Sequence, residues 1–210
     1  MNTLTTHNRP QYAITLTYKC NWNCDYCAVR NSVDWKDDVS DYDVFKKIDA
    51  VENGSVVTLF GGEPGVLNRS QVESFIERLQ SKGCSLKLET NGLFIRRFPD
   101  IIDTFQEITY HCSQDLLPTD DIININHKNV KYMLVIHDKN IPNLESFLNS
   151  HPFPDKFYMV EATYPHEITG PTLSKQNKNR LLTRFSNRMS KEAIYRLIHG
   201  FDFDSIIFLT

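Results

Sequence analysis

Three cysteines, Cys20, Cys24 and Cys27, lie within eight residues near the start of the chain. They follow the run Tyr12–Tyr18, whose apolar and β-branched residues predict a β-strand, so the thiols are expected on the loop that leaves this strand. Thiolates are soft ligands that favour iron–sulfur clusters and zinc. The spacing Cys-x-x-x-Cys-x-x-Cys therefore predicts a metal centre of one of these two kinds.

The number of available ligands distinguishes the two kinds of centre. A structural zinc site has four ligands, commonly two cysteine pairs or one pair with nearby histidines. Here the other two cysteines, Cys84 and Cys112, stand alone and far apart. Three thiolates on a four-iron cluster would leave one iron open, and an open metal position can bind a ligand. The sequence favours the cluster, and zinc held by a non-catalytic module is the alternative.

The cysteine loop resembles the cluster loop of radical S-adenosylmethionine (radical SAM) enzymes, in which an aromatic residue, here Tyr26, precedes the third cysteine. The resemblance implies a [4Fe-4S] cluster on Cys20, Cys24 and Cys27, whose open iron is chelated by the amino and carboxylate groups of S-adenosylmethionine. It implies that an electron from a reductant protein yields methionine and a 5′-deoxyadenosyl radical, which abstracts hydrogen from a substrate. Tyr26 is then expected near the adenine.

A second motif, Gly61-Gly62-Glu63-Pro64, follows the apolar run Val56–Phe60, which predicts a strand buried on both faces. Paired glycines let the backbone turn sharply and approach a ligand closely, and Pro64 favours an extended Glu63. An ordinary strand-to-helix turn could use the same residues. The motif also resembles the second signature of the radical SAM family, which implies that Gly61, Gly62 and Glu63 bind the methionyl amino group.

The next two predicted strands end in further candidate cofactor-binding residues. Residues 89–92, Glu-Thr-Asn-Gly, resemble the third-strand end of glycyl-radical activating enzymes and 7-carboxy-7-deazaguanine synthase, which implies cofactor contacts by Thr90 and Asn91. A plain Asn-Gly turn is the alternative. On the fourth strand, alternation places His111 and Ser113 on a polar face that needs partners. We expect them to contact the ribose or the substrate; a structural histidine is the alternative for His111.

Strand and helix patterns alternate along the chain. Strands are predicted over 56–60, 86–89, 107–113, 130–136 and 156–162, after the first strand. Helices are predicted over 41–52, 70–82, 94–105 and 143–149. Ser70 with Glu73 predicts a capping box at the start of the second helix. Six such strands imply parallel, right-handed crossovers, and the chain is too short for an eight-fold barrel of about 250 residues. We therefore expect an α/β fold, a partial (β/α)6 radical SAM barrel open at one side, with ligands at the carboxyl ends of its strands.

The charge changes sign towards the end of the chain. Residues 166–200 carry a net +5 and the remainder −8, which together give the chain's −3. Helices are predicted over 173–185 and 190–199, and a last strand over 203–210. We expect residues 1–165 to form the partial barrel and residues 166–210 to form a basic helical extension packed on the same domain. Its basic helices are either a solvated face or a docking surface for an anionic partner.

Composition bounds the cellular location and the class of function. Residues 1–11 contain no apolar segment, and no apolar run approaches membrane-spanning length. An odd number of cysteines, three of them clustered, argues against a disulfide framework, so we expect a cytoplasmic enzyme without a membrane partner. Its unidentified substrate is either a small molecule, as for 7-carboxy-7-deazaguanine synthase, or a protein or peptide. A non-catalytic zinc- or nucleic-acid-binding module is the alternative class.

Overall fold

A computed structural model describes residues 9–24, 27, 29, 38–112, 129–150, 157–161, 173–185 and 206–209. The chain divides into two compact units. Unit 1 comprises Met1–Asn21, Val33–Ile108 and Phe203–Thr210, and unit 2 comprises Trp22–Ser32 and Thr109–Asp202. The predicted division of the chain at residue 165 stays a prediction.

The described residues form strands and helices that alternate for most of the chain. The strands are β1 (Gln11–Thr17), β2 (Val56–Gly61), β3 (Ser85–Thr90), β4 (Glu107–Cys112), β5 (Val130–Ile136), β6 (Phe157–Glu161) and β7 (Ile206–Leu209). The helices are α1 (Asp41–Ala50), α2 (Arg69–Ser81), α3 (Leu93–Arg97), α4 (Ile141–Ser150) and α5 (Lys175–Phe185). The strands predicted within residues 56–60 and 130–136 are thus confirmed, as is the last strand. Among the described helices, none combines the length and the apolar character that crossing a bilayer requires.

Unit 1 contains a parallel sheet with the strand order β3-β2-β1-β7. In its register, Ile14 of β1 lies opposite Leu59 of β2, and Val57 of β2 lies opposite Leu86 of β3. These four side chains are buried, as expected for parallel strands that are covered on both faces and therefore contain continuous apolar runs. The parallel pairing places the carboxyl ends of β1, β2 and β3 at one edge of the sheet.

Helices α1 and α2 both belong to unit 1, and their buried apolar side chains recur at helical spacing: Val44 and Ile48 in α1, and Val72, Phe75, Ile76 and Leu79 in α2. Helix α1 begins after Ser40, whose Oγ accepts a hydrogen bond from the Asp43 backbone (3.2 Å). The capping box predicted at Ser70 is wrong, because α2 begins one residue earlier, after Asn68. The backbone N–H of Asn68 donates to the Gln71 side chain (3.0 Å). Asparagine is as good an N-cap as serine and comes first along the chain.

The long helix predicted over 94–105 is also wrong in extent. Helix α3 ends at Arg97, and a short 3-10 turn follows at Ile102–Thr104. Pro99 explains the break, because the residue before a proline is biased away from the helical conformation and the proline itself donates no backbone hydrogen bond. The aromatic rings on either side of the break still pack together: the centroids of Phe94 and Phe105 lie 5.6 Å apart, edge to face.

In unit 2, β5 and β6 pair in parallel, and β4 is the other neighbour of β5 in the strand order. Helices α4 and α5 of this unit are joined by Glu145, which is only 7% exposed. Its Oε2 accepts hydrogen bonds from Arg180 (2.5 Å) and Arg184 (3.0 Å) of α5. Two arginines of the basic segment therefore bind a buried carboxylate. The second predicted helix of that segment, residues 190–199, lies outside the described residues.

Candidate active site

The chain leaves β1 through Tyr18 and Lys19 and reaches the first cysteine at position 20. Asp38 holds this segment: its Oδ1 accepts hydrogen bonds from the Thr17 hydroxyl (2.8 Å) and the Tyr18 backbone (2.9 Å), and its Oδ2 pairs with Lys19 Nζ at 3.0 Å. Burial acts to raise the pKa of Asp38, but these hydrogen bonds outweigh it, and the pKa lies below its usual value. No spacing signal marks Asp38, and the sequence analysis missed it.

The cysteine loop begins in unit 1 and continues into unit 2. In unit 1, Cys20 is exposed. In unit 2, Cys24 and Cys27 are partly buried, and the Cys27 backbone donates to the Cys24 carbonyl at 3.2 Å. Tyr26, the predicted neighbour of the adenine, lies outside the described residues. This hydrogen bond joins the backbones of Cys24 and Cys27.

The glycine pair lets the end of β2 lie against the end of β1. A Cβ at Gly61 would be 2.4 Å from the Thr17 carbonyl oxygen, and a Cβ at Gly62 would be 2.1 Å from the Lys19 carbonyl oxygen. The short distance allows two backbone hydrogen bonds. The N–H of Gly62 donates to the Thr17 carbonyl (2.7 Å), and the N–H of Glu63 donates to the Lys19 carbonyl (2.8 Å). The close backbone approach predicted for the glycine pair is therefore present. Among the described residues, the group that the glycines approach is the backbone from Thr17 to Lys19, which leads into Cys20.

Glu63 extends its carboxylate from the end of β2 into a fully buried position, with 0% exposure. Oε1 accepts hydrogen bonds from the backbones of Gly65 (2.8 Å) and Phe94 (3.1 Å), and Oε2 accepts one from the backbone of Asn91 (2.6 Å). The Thr90 hydroxyl also donates to Oε1 (2.8 Å). Burial raises the pKa of Glu63, and these donors oppose the rise because they stabilise the charged form.

This arrangement gives Glu63 a role that sequence reasoning missed. The carboxylate links the end of β2 to the end of β3 and to the start of α3. A buried carboxylate needs such partners, because leaving it without them would cost several kcal/mol of solvation. The contact of this side chain with the methionyl amino group stays a prediction.

Thr90 and Asn91 are both buried at the end of β3. The Asn91 amide nitrogen donates to the Cys20 sulfur (3.6 Å) and to the Asn21 side-chain oxygen (2.9 Å). In unit 1 the structure therefore brings together four of the predicted site residues: Cys20, Glu63, Thr90 and Asn91. Asn-Gly turn geometry is present as well, because Gly92 has a φ of +95°. The turn and the site contacts occur in the same residues and do not exclude each other.

The two candidates on the fourth strand belong to unit 2. His111 is the penultimate residue of β4 and is partly buried. Ser113 lies outside the described residues. The contacts predicted for both side chains with the ribose or the substrate stay predictions.

A cavity of about 520 Å³ opens elsewhere in unit 1, beside β1 and α1. Its lining residues are Tyr18, Asp38, Val39, Asp43, Lys46, Lys47, Ala50 and Leu209. None of the predicted cofactor-binding residues is among them. The cavity therefore provides no support for a cofactor pocket at Glu63.

The donor set can be tested against the two kinds of metal centre. Within the described part of the chain, no three His, Cys, Asp or Glu side chains converge where they could hold one metal ion. A structural zinc site has four ligands, and the cysteine loop supplies three thiolates. In a four-iron cluster the thiolates bind different irons, so the ligands are spread. Three soft sulfur donors on one loop, Cys20, Cys24 and Cys27, fit the cluster.

Comparison with known proteins reveals related sequences. Residues 14–138 match the sequence model of the radical SAM superfamily. GTP 3′,8-cyclase of Helicobacter pylori is 28% identical over 122 residues, which cover 55% of this chain and 37% of that enzyme. Pyruvate formate-lyase 1-activating enzyme of Escherichia coli is 28% identical over 141 residues, which cover 61% of this chain and 56% of that enzyme. The chain thus spans between 37% and 56% of the length of these relatives.

Solved structures share the fold at low sequence identity. Histidine-tagged anSMEcpe with bound AdoMet has a TM-score of 0.61 at 14% identity, covering 85% of this chain and 57% of that chain. Coproporphyrinogen III oxidase (HemN) from Escherichia coli has a TM-score of 0.57 at 13% identity, covering 86% and 53%. These similarities confirm the predicted α/β fold, a partial barrel that is not closed. Because the family match also spans more than half of the sequence, the chain belongs to the radical SAM superfamily.

Proposed function

We propose that this chain is a radical SAM enzyme that cleaves S-adenosylmethionine reductively and abstracts hydrogen from a substrate. When bound, the family's [4Fe-4S] cluster supplies the electron for cleavage and an open iron for the amino and carboxylate groups of S-adenosylmethionine. Cys20, Cys24 and Cys27 would hold the cluster. The observation that carries the proposal is that the family match spans both the cysteine loop and Gly61-Gly62-Glu63, and that the fold ties these two segments together.

The remaining residues have proposed roles around these two motifs. Gly61 and Gly62 bring the end of β2 against the segment before Cys20, and Glu63 fixes the end of β3 beside it. The residues proposed to contact S-adenosylmethionine or the substrate are Tyr26, Gly61, Gly62, Glu63, Thr90, Asn91, His111 and Ser113.

The proposed substrate is a peptide or a small molecule. The relatives span both classes: one activates pyruvate formate-lyase, one is a GTP cyclase, and anSMEcpe has been solved with a bound peptide. A one-electron reductant protein is the proposed partner. A cytoplasmic location is also part of the proposal, because Cys20 is exposed and a cluster there needs a reducing compartment.

We also propose an anionic partner for the basic C-terminal segment. Arg180 and Arg184 are already engaged with Glu145, so their charge is partly neutralised within unit 2. Docking would depend on other basic residues of the segment, such as the exposed Lys175 of α5.

The test is anaerobic reconstitution with iron and sulfide, followed by reduction in the presence of S-adenosylmethionine. We expect about four irons per chain and formation of methionine and 5′-deoxyadenosine, measured by chromatography. Cys24→Ala should lose cluster and cleavage together. Cys84→Ala is the matched control, because Cys84 lies in unit 1 with its sulfur 3.8 Å from the Glu52 carbonyl, and it should retain both. Wild-type turnover by Cys24→Ala, or a zinc-loaded wild type without cleavage, would refute the proposal.

A further inference from the structure

We propose that Asn91 is a positioning residue for the metal centre: its side-chain amide holds the Cys20 sulfur through an N–H···S hydrogen bond and raises the reduction potential of the cluster. This inference rests on the proposed function, because it takes Cys20 to be a cluster ligand. It gives Asn91 a role different from the S-adenosylmethionine contact predicted for it. The amide would act on the cofactor through the cysteine.

The hydrogen-bond network settles which way the Asn91 amide points. Its Oδ1 accepts a hydrogen bond from the backbone of Leu93 (3.3 Å), which is a donor only. Its Nδ2 faces the side-chain oxygen of Asn21 (2.9 Å) and the sulfur of Cys20 (3.6 Å). An amide flipped by 180° would place its oxygen against the Asn21 oxygen and its NH₂ group against the Leu93 N–H. The group that faces the Cys20 sulfur is therefore the NH₂ donor of Asn91.

The Asn91 side chain is buried and its backbone is anchored. Asn91 is only 6% exposed, and its backbone N–H donates to the buried Glu63 carboxylate at 2.6 Å. Cys20 is exposed on its loop. A hydrogen bond from a fixed donor restricts the orientation of the cysteine side chain and reduces the ordering that metal binding would otherwise require. Glu63 thereby supports the sulfur through Asn91.

The direction of the effect on the cluster follows from charge. A hydrogen bond to a thiolate sulfur stabilises negative charge, and reduction adds one electron to the cluster. The reduced state is stabilised more than the oxidised state, so the bond raises the potential. Removal of the donor should shift the potential to a more negative value.

The first experiment compares Asn91→Ala with wild type and with Asn21→Ala after anaerobic reconstitution. Asn21→Ala is the matched control, because it removes the second acceptor of the Asn91 amide nitrogen and leaves the Cys20 sulfur as the first. The potential is measured by redox titration, with the electron paramagnetic resonance signal of the reduced cluster as the readout. We expect a negative shift for Asn91→Ala and none for Asn21→Ala. Equal potentials in wild type and Asn91→Ala would overturn the proposal.

A second variant and a measurement on the wild type guard against loss of folding. Asn91→Asp keeps the size and the acceptor for Leu93 and removes the amide donor, so it should also shift the potential negatively. Resonance Raman spectra of the wild type in H₂O and D₂O should differ in the iron–cysteine stretch, and this difference should shrink in either variant. Folded Asn91 variants that lose the cluster while Asn21→Ala keeps it would support positioning.

An iron–cysteine stretch insensitive to D₂O in wild type would overturn the proposal even if both variants fail to fold. Wild-type chain that takes up no four-iron cluster would instead refute the proposed function, so the two failures are distinguishable.

Discussion

Oε2 of Glu63 lies 2.6 Å from the backbone nitrogen of Asn91, so the carboxylate at the end of β2 accepts a hydrogen bond from the end of β3. The same carboxylate is reached by Gly65, Thr90 and Phe94. The backbone N–H of Glu63 in turn donates to the carbonyl of Lys19, directly before Cys20. Glu63 thus connects the ends of β1, β2 and β3. In unit 2, the buried Glu145 connects α4 to α5 in a similar way.

We expect Glu63→Gln to change the pH dependence of stability. Burial raises the pKa of Glu63 above its ordinary value of 4.5, so the folded chain binds this proton more tightly than the unfolded chain. The stabilisation from protonation is complete below 4.5 and is lost as pH rises through the folded-state pKa. Denaturant titrations across this window should show the wild type losing free energy of unfolding relative to Glu63→Gln.

The control for this prediction is Glu77→Gln, which removes an exposed carboxylate from α2 in the same unit. Its free energy of unfolding should differ from that of the wild type by less than about 0.5 kcal/mol. Parallel curves for wild type and Glu63→Gln would contradict the prediction.

Gly62→Ala should destabilise unit 1 through steric conflict alone. The added Cβ would be 2.1 Å from the Lys19 carbonyl oxygen, a backbone atom that is itself hydrogen bonded. We expect a loss at the upper end of about 1–3 kcal/mol, as for overpacked sites, measured by chemical denaturation. Gly83→Ala is the comparison: it has open space but a φ of +68°, so it should lose only about 1 kcal/mol. A smaller loss for Gly62→Ala than for Gly83→Ala would argue against the tight contact.

Arg97→Met should weaken the turn that follows Glu63. Nη1 of Arg97 donates to the carbonyls of Gly65 (2.6 Å) and Leu67 (3.2 Å). Because Arg97 is itself exposed, we expect a loss of only about 1 kcal/mol in the free energy of unfolding. The adjacent Arg96 is exposed, and Arg96→Met should change stability by less than about 0.5 kcal/mol. If both variants unfold at the same denaturant concentration, Arg97 does not hold the turn.

Arg180→Met should loosen α5 from α4 in unit 2. The side chain donates to Oε2 of Glu145, and Arg184 remains as a second partner after the change. We expect a loss of about 1 kcal/mol, measured by denaturation. Lys175→Met removes the same charge from an exposed position of α5 and should be nearly neutral. Equal losses would indicate a general charge effect and not the contact with Glu145.

Much of the fold and the motif set was predictable because it is local. The continuous apolar run Val56–Phe60 located β2, and helical spacing located α2, because burial of one helix face makes apolar residues recur every three to four positions. The start of α2 at Arg69, after the cap residue Asn68, and the break after α3 were predicted less well. Near the start of α2, both Asn68 and Ser70 could cap the helix, and the sequence alone does not choose between them. The end of α3 depends on the single residue Pro99.

The sequence by itself determined the chemistry of this protein: three thiols on one loop, a glycine-rich strand end, and the alternation that yields parallel strands. Only the tertiary structure decided which groups meet. Asp38 reaches Thr17 across 21 residues, Glu63 reaches Asn91 across 28, and Asn91 reaches Cys20 across 71. A local pattern carries periodicity and turn chemistry, whereas a hydrogen bond between distant residues depends on how the strands are ordered in the sheet.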